Sequence, residues 1–199
     1  IERRIKNPSQ IANNISSNLN IQIFEKQELL EMIDLKKRLE KIHSFIDIGC
    51  GPGGMVELAK SKGLRTIGVD GDYTLTRFDP EYFIIHDYTK GSPVLEQEYD
   101  VVWSVEFLEH VEEQYMANYM DTFKCAKSAV VTYAPPGWNG HHHVNLQEED
   151  YWVARFEQNG FKLDENKTRF LRHNSTLNLG KKGKKAFVKN RGLYFNNVG

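Results

Sequence analysis

Residues 45–54 read Phe-Ile-Asp-Ile-Gly-Cys-Gly-Pro-Gly-Gly, and they are the most informative stretch of the chain. The apolar run at 45–48 predicts a buried parallel strand, and a helical pattern begins by residue 55. Glycine permits the unusual backbone angles of the intervening turn and lets a ligand approach the main chain closely. A strand, a glycine turn and a helix predict a binding crevice at the carboxyl end of the strand. The spacing is Gly-x-Gly-x-Gly, which differs from the Gly-x-Gly-x-x-Gly of dinucleotide-binding enzymes.

The composition is that of a globular domain with its own core, since 40% of the 199 residues are hydrophobic and 27% are charged. No apolar run approaches the length of a membrane span, and no secretory signal is visible. Two cysteines, Cys50 and Cys125, do not make a disulfide framework. We therefore expect a reducing, cytoplasmic setting.

The chain after residue 60 alternates apolar runs with helical patterns, which predicts an α/β fold. Further strands are expected at 65–70, 82–86, 100–104 and 129–133, and helices at 53–62, 111–126 and 147–159.

The two ends of the chain are less sharply patterned. We expect residues 1–42 to form an N-terminal helical segment or cap, and residues 43–199 to form the main domain. Segments 161–172 and 184–196 could supply a terminal hairpin. The lysine-rich stretch 180–185 predicts a loop.

Polar residues follow the predicted strands. Asp70 ends the second strand, where a carboxylate can accept hydrogen bonds from both hydroxyls of a ribose. After the fourth strand, Glu106, Glu109 and His110 would project on one face if the segment is helical. After the fifth strand comes the triple histidine 141–143. Both strands should end at the same edge of the sheet, so these groups could converge on a divalent metal.

Segment 45–54, with its aspartate and the order of elements that follows, resembles the first motif of class I S-adenosylmethionine-dependent methyltransferases. The resemblance implies a Rossmann-like, mostly parallel seven-stranded sheet with helices on both faces. It also implies S-adenosylmethionine as cofactor and S-adenosylhomocysteine as product, with Asp87 facing the adenine amino group. The cofactor-binding residues implied in this way are Asp47, Gly49, Cys50, Gly51, Pro52, Gly53, Asp70, Gly71, Asp87, Tyr88 and Ser104.

The Glu-x-x-Glu-His string at 106–110 is similar to that of ubiquinone-pathway O-methyltransferases and of the 2′-O-methyltransferases that act on the 3′ end of small RNAs. This resemblance implies Mg²⁺ or Mn²⁺ held by Glu106, Glu109, His110 and one histidine of 141–143, for which we take His142. The catalytic candidates are His110, His142 and Glu106. Metal-free acid–base chemistry and a structural role remain alternatives, because related strings occur without metal.

The string Pro-Gly…Gly-His-His-His-Val-Asn…Tyr-Trp…Gly-Phe at 136–161 resembles a broad set of bacterial and phage methyltransferases, often assigned to sugars or other small metabolites. We therefore expect O-methylation of a small molecule, with Trp138 either walling the acceptor pocket or simply packing. An RNA 2′-O-methyltransferase is the alternative, since ten Lys/Arg and two Asp/Glu follow from Phe161 onward. A non-catalytic cofactor-binding regulatory protein is the third hypothesis, and the oligomeric state is left open.

Overall fold

A seven-stranded sheet organises the chain from residue 43 onward, and residues 43–199 form one compact unit. The computed structural model describes residues 42–138, 140–175 and 186–199. The expected helical segment 1–42, apart from its last residue, and the expected loop 180–185 lie outside the described residues. The strands are β1 (Ser44–Ile48), β2 (Arg65–Asp70), β3 (Phe83–Ile85), β4 (Tyr99–Ser104), β5 (Ala126–Val131), β6 (Phe161–Leu163) and β7 (Leu193–Asn197).

The strand order is β3-β2-β1-β4-β5-β7-β6. The first five strands pair in parallel, and β7 runs antiparallel to both β5 and β6. β1 and β4 lie next to each other near the centre of the sheet, and the strands that follow each of them in the chain are added on its outer side. Right-handed crossovers then place helices on both faces of the sheet. The expected Rossmann-like sheet, mostly parallel with seven strands, is confirmed.

Five α-helices lie in the described part of the chain, and the longest have ten residues. None of them is long and apolar enough to cross a membrane. The helices are α1 (Gly54–Ser61), α2 (Met116–Phe123), α3 (Glu149–Gln158), α4 (Glu165–Asn174) and α5 (Phe187–Arg191).

Two regions differ from the expectation. Helix α2 begins at Met116 and not at 111, because a single 3₁₀ turn, Glu113–Tyr115, precedes it. The expected hairpin is reduced to the antiparallel pair β6–β7, since most of 161–172 is helical. Helix α4 starts directly after β6, where the Asp164 carboxylate accepts a hydrogen bond from the Lys167 N–H at 3.0 Å and caps the helix.

The core follows from the burial of the central strands. Every residue of β1 is buried, as expected for a strand with neighbours on both sides and helices on both faces. Trp152 and Phe156 of α3 are fully buried, and the Phe156 ring stacks on Phe195 of β7 with 4.3 Å between centroids. Asp100 joins the starts of the two central strands, because its Oδ2 accepts from the backbone N–H groups of His43 (2.7 Å) and Ser44 (3.0 Å).

The pairing register brings the carboxyl ends of β1, β2, β4 and β5 to one edge of the sheet. The strand order reverses between β1 and β4, and in open α/β sheets ligands bind at that reversal point. The loops that follow these four strands therefore carry the candidate site.

Candidate active site

The glycine turn after β1 combines tight packing with an open centre. Gly49, Gly51 and Gly53 all have positive φ, at 75°, 51° and 92°. A Cβ on Gly49 would lie 2.6 Å from the Phe107 ring, and one on Gly53 would lie 2.3 Å from the Phe83 ring. A Cβ on Gly51 would meet nothing within 4 Å. The outer glycines are thus required for packing, and the middle one faces free space.

Asp70 is held against this turn. Its Oδ2 accepts a hydrogen bond from the Gly51 N–H at 2.8 Å, and its Oδ1 accepts one from the Asp72 N–H at 2.8 Å. Arg77, whose side chain is 5% exposed, places Nη2 3.5 Å from Oδ1. Nothing in the sequence pattern pointed to Arg77. The carboxylate is therefore fixed beside the open centre of the turn.

Asp47 and Cys50 lie buried at the base of the turn. Burial and the neighbouring Asp70 raise the pKa of the Asp47 carboxyl to about 7. Burial likewise raises the pKa of the Cys50 thiol to about 12, which keeps that group neutral. Pro52 and Gly71 are exposed at the edge of the same region.

The remaining predicted cofactor residues differ in accessibility. Asp87 is half-exposed, and hydrogen bonds from the Thr89 N–H (2.9 Å) and hydroxyl (2.8 Å) lower the pKa of its carboxyl. Tyr88 is buried, with its ring 5.6 Å from that of Phe107. Ser104 is fully buried and its hydroxyl donates to the Ile48 carbonyl oxygen at 2.9 Å. The structure therefore uses the side chains of Tyr88 and Ser104 for packing and for joining β4 to β1.

A second cluster forms where the loops after β4 and β5 meet. Glu109, His110 and His143 each present one ligand atom, and these three atoms lie within 4.8 Å of one another. Glu109 is fully buried, yet neither of its carboxylate oxygens has a hydrogen-bond partner. Burial, followed by the charge of Glu106, raises the pKa of the Glu109 carboxyl to about 8. A buried carboxylate without partners is costly unless a cation or a proton compensates it.

Backbone carbonyl groups fix the tautomers of both histidines. Nδ1 of His110 lies 3.2 Å from the His142 carbonyl oxygen, and Nδ1 of His143 lies 2.8 Å from the Trp138 carbonyl oxygen. A carbonyl oxygen only accepts, so each Nδ1 carries the proton and each Nε2 keeps a free lone pair. Metal-binding histidines in proteins are oriented in this way. Burial and then His143 lower the pKa of His110, which favours its neutral form.

The structure brings His143, instead of the expected His142, to this cluster. His142 has a positive φ of 54°, and its ring packs against His141 with 4.2 Å between centroids. The loop is anchored by the Glu109 carbonyl oxygen, which accepts from the Val144 N–H (2.8 Å) and the Asn145 N–H (3.1 Å). This anchoring directs the third histidine of the run toward Glu109.

Glu106 lies beside the cluster in a different environment. The segment after β4 is not one continuous helix, so its three polar residues do not share a helix face: Glu106 has a positive φ of 59°, and Leu108–His110 forms a single 3₁₀ turn. The Glu106 N–H donates to Thr132 Oγ1 at 2.8 Å, and that hydroxyl lies 3.3 Å from Glu106 Oε1. Arg191, at the end of α5, places Nη2 3.6 Å from Glu106 Oε1 and its guanidinium carbon 4.3 Å above the Trp138 ring. Arg191 was missed by the sequence analysis.

Comparison with family models agrees with this geometry. The model described as a methyltransferase domain matches residues 46–124, from β1 through α2. The match gives the chain a methyltransferase domain, and its seven-stranded sheet is that of the class I methyltransferase fold. A model of the substrate-binding domain of ATP-dependent protease La (LON) matches residues 2–47, almost all of them outside the described residues. No curated protein matches the chain.

Solved methyltransferases share the fold of this chain at low sequence identity. Magnesium protoporphyrin IX methyltransferase from Synechocystis PCC 6803 with bound S-adenosylmethionine is 16% identical, with a TM-score of 0.52 over 95% of this chain and 79% of that one. The 1,6-didemethyltoxoflavin-N1-methyltransferase of Burkholderia thailandensis, with S-adenosylhomocysteine, is 11% identical, with a TM-score of 0.57 over 100% and 94%. Small RNA methyltransferase HEN1 is 14% identical, with a TM-score of 0.52 over 82% of this chain and 25% of that one.

Proposed function

We propose that this protein transfers the methyl group of S-adenosylmethionine to a hydroxyl oxygen of a small molecule such as a sugar. The observation that carries the proposal is the buried, unpartnered carboxylate of Glu109, which lies within 4.8 Å of one ring nitrogen each of His110 and His143. This cluster follows β4 and β5, at the same edge of the sheet as the glycine turn. A polar site of this kind next to a methyl donor suits an acceptor that must lose a proton.

The cofactor would lie over the glycine turn. A Cβ added to Gly51 would have no other atom within 4 Å, so there is room for a ligand against the main chain. The fixed carboxylate of Asp70 can accept from the ribose hydroxyls, and the half-exposed Asp87 can accept from the adenine amino group. We assign the remaining residues of the turn, from Asp47 to Gly53, to the methionine part of the cofactor.

The transfer is an in-line displacement. The bond between the sulfonium sulfur and the methyl carbon breaks while a bond from the acceptor oxygen to that carbon forms, and S-adenosylhomocysteine leaves. The enzyme must hold the oxygen and the methyl carbon close and aligned. The acceptor hydroxyl gives up its proton, and the free Nε2 of neutral His110 is placed to take it. His110 is exposed, so that proton can pass on to water.

The same three residues fit a divalent metal. Their donor set is one carboxylate and two imidazoles with fixed tautomers, and the buried Glu109 oxygens have no other partner. Glu109, His110 and His143 would hold the ion. When bound, a divalent ion lowers the pKa of a hydroxyl that contacts it.

Cofactor binding is tested by calorimetric titration of S-adenosylhomocysteine. Asp70→Asn should weaken binding by about 10-fold or more, because a charged hydrogen-bond acceptor for the ribose is lost. Asp72→Asn is the matched control: Asp72 is exposed, and an asparagine Oδ1 can still accept from the Thr74 N–H. A folded wild-type protein that binds no S-adenosylhomocysteine would overturn the assignment of the cofactor site.

The acceptor class is tested by methyl transfer to a panel of hydroxyl-bearing metabolites and to RNA oligonucleotides. In the described part of the basic region, three cations form ion pairs: Lys167 with Asp164 at 3.3 Å, Arg169 with Glu165 at 3.7 Å, and Arg172 with Glu149 at 2.7 Å. This pairing supports a small acceptor. RNA binding that falls steeply with salt, together with transfer to a ribose 2′-hydroxyl, would instead support the RNA alternative.

A further inference from the structure

The loop after β2 returns one arginine to the interior of the protein. Residues 71–74, 76 and 78 of this loop are exposed, whereas the side chain of Arg77 is only 5% exposed and faces Asp70. We propose that Arg77 is a positioning residue for the cofactor, which holds the Asp70 carboxylate in the orientation that accepts from the ribose hydroxyls. The proposal rests on the cofactor site of the proposed function.

Three contacts fix the Arg77 guanidinium next to the glycine turn. Its Nη1 donates to the Leu75 carbonyl oxygen at 3.4 Å, and the Cys50 thiol contacts the guanidinium. Its guanidinium carbon lies 5.6 Å from the centroid of the Phe83 ring, within the range of a cation–π interaction. The same ring supports the turn, because a Cβ on Gly53 would lie 2.3 Å from it. The arginine and the glycine turn are thus packed on one aromatic ring.

The contact with Arg77 restrains Asp70 and leaves lone pairs on the carboxylate. Oδ2 accepts from the Gly51 N–H and Oδ1 from the Asp72 N–H, each at 2.8 Å. Each carboxylate oxygen has a second lone pair, which a ribose hydroxyl can use. Nη2 of Arg77 lies 3.5 Å from Oδ1, which is an ion pair longer than a hydrogen bond. Arg77 therefore holds the carboxylate by charge without taking the lone pairs that a ribose needs.

Stability alone does not explain the burial of Arg77. Its Nε and Nη2 atoms are buried and have no hydrogen-bond partner among the described residues. Burial of a charge with unpaired donors costs free energy, and one ion pair at 3.5 Å recovers only part of it. The arginine also offsets the repulsion between Asp70 and the buried Asp47, whose pKa the Asp70 charge helps to raise. Arrangements that are unfavourable locally concentrate at functional sites.

Replacement of Arg77 by methionine should weaken cofactor binding. Methionine keeps the apolar stem and removes the charge, so Asp70 loses its restraint. We expect the affinity for S-adenosylhomocysteine, measured by calorimetric titration, to fall by about 10-fold, within the range of couplings between residues of one network. Lys60→Met is the matched control, because Lys60 pairs with Asp79 at 2.8 Å at the other end of the loop. The control should change the affinity by less than about 2-fold. Equal losses in the two variants would overturn the proposal.

The double variant Arg77→Met/Asp70→Asn separates positioning from a merely structural role. If Arg77 acts through the carboxylate, its removal should cost less than about 2-fold once Asp70 is already an asparagine. A structural effect on the pocket would persist in that background. A tenfold loss in both backgrounds would therefore overturn the proposal.

Arg77→Lys provides a test that does not depend on the folding of Arg77→Met. Lysine keeps the positive charge but lacks the planar guanidinium, so the restraint on Asp70 is weakened and not removed. The affinity for S-adenosylhomocysteine should fall about 3-fold, and the affinity for an analogue that lacks both ribose hydroxyls should not change. The preference for the natural ligand then falls by the same factor. An unchanged preference would refute the positioning role.

The same titrations separate this proposal from the proposed function. A folded wild type that binds no S-adenosylhomocysteine, or whose affinity is unchanged by Asp70→Asn, would refute the cofactor site itself. Binding that depends on Asp70 but not on Arg77 would refute the positioning role alone and leave the cofactor site standing.

Discussion

Substitution of Glu109 by glutamine should make the metal-free protein more stable at alkaline pH. The wild-type carboxyl is fully buried and its pKa is raised from 4.5 to about 8. Between these values the unfolded chain loses the Glu109 proton while the folded chain keeps it. The free energy of unfolding therefore falls as the pH rises from about 4.5 to about 8. Glutamine has nearly the same shape and does not titrate, so it removes this dependence.

The magnitude follows from the size of the pKa shift. One pKa unit corresponds to about 1.4 kcal/mol, so a rise from 4.5 to about 8 gives an upper limit of about 5 kcal/mol at pH 8. Relaxation and water entry around the ionised carboxylate reduce this to about 2–4 kcal/mol. The advantage of Glu109→Gln over wild type should thus grow by that amount between pH 5 and pH 8.

The assay is urea unfolding at pH 5, 6, 7 and 8 in the presence of a chelator, with the wild type measured in parallel. Asp47 also has a raised pKa, so the difference between the two proteins at each pH is the relevant quantity. Glu157→Gln, an exposed change on α3, is the matched control and should show a constant difference. If the difference in unfolding free energy between Glu109→Gln and wild type is also constant with pH, the inference that the Glu109 carboxyl is buried without partners is refuted.

Three further outcomes are expected. Gly53→Ala should destabilise the fold by about 2–4 kcal/mol in thermal or urea unfolding, because a Cβ would lie 2.3 Å from a ring and φ is 92°. Gly54→Ala, whose Cβ meets nothing within 4 Å, should change stability by less than about 1 kcal/mol, and equal effects would contradict the packing argument. The affinity for Mn²⁺, measured by calorimetry, should rise about tenfold per pH unit from pH 6 to pH 8, because Glu109 must lose its proton before it can bind the ion. An affinity that does not change with pH would exclude Glu109 as a ligand. Burial opposes ionisation of the Asp100 carboxyl, but hydrogen bonds from Lys127 and from backbone N–H groups outweigh it and lower the pKa of Asp100 from 3.8 to about 2. The ionised carboxylate therefore stabilises the fold above pH 4, and this stabilisation is lost as the pH falls to 2. Asp100→Asn should therefore cost about 2 kcal/mol at pH 7 and nothing at pH 2 in urea unfolding, and a pH-independent cost would contradict this.

The strands next to the glycine turn could be predicted well from the sequence. β2 has the expected bounds, and β1 differs by one residue, because buried strands flanked by glycine have strong local signals. β5 begins at Ala126 and not at 129, since Lys127 is exposed and interrupts the apolar pattern. There the strand is extended by pairing with β4, which a local pattern does not encode.

The site was predicted in part. The convergence of the loops after β4 and β5 follows from the parallel topology and could be expected from the order of elements. The choice among three successive histidines could not, because it depends on the backbone turn at His142 and on the anchor at Glu109. Arg191 lies 85 positions beyond Glu106 in the chain, and an isolated arginine in a basic region has no pattern that indicates its partner.

The position of β7 makes closure of the sheet depend on residues that lie far along the chain from β5. β7 lies between β5 and β6, and Arg191 immediately precedes it. A nascent chain that has reached residue 185 contains the glycine turn and all three proposed ligands, yet the edge of β5 is still open and Glu106 has no counter-charge. Exposed edge strands pair readily with other chains. Residues 187–197 therefore both close the sheet and supply the counter-charge of Glu106, so a chain in which they have not yet folded exposes an open strand edge and an unbalanced carboxylate.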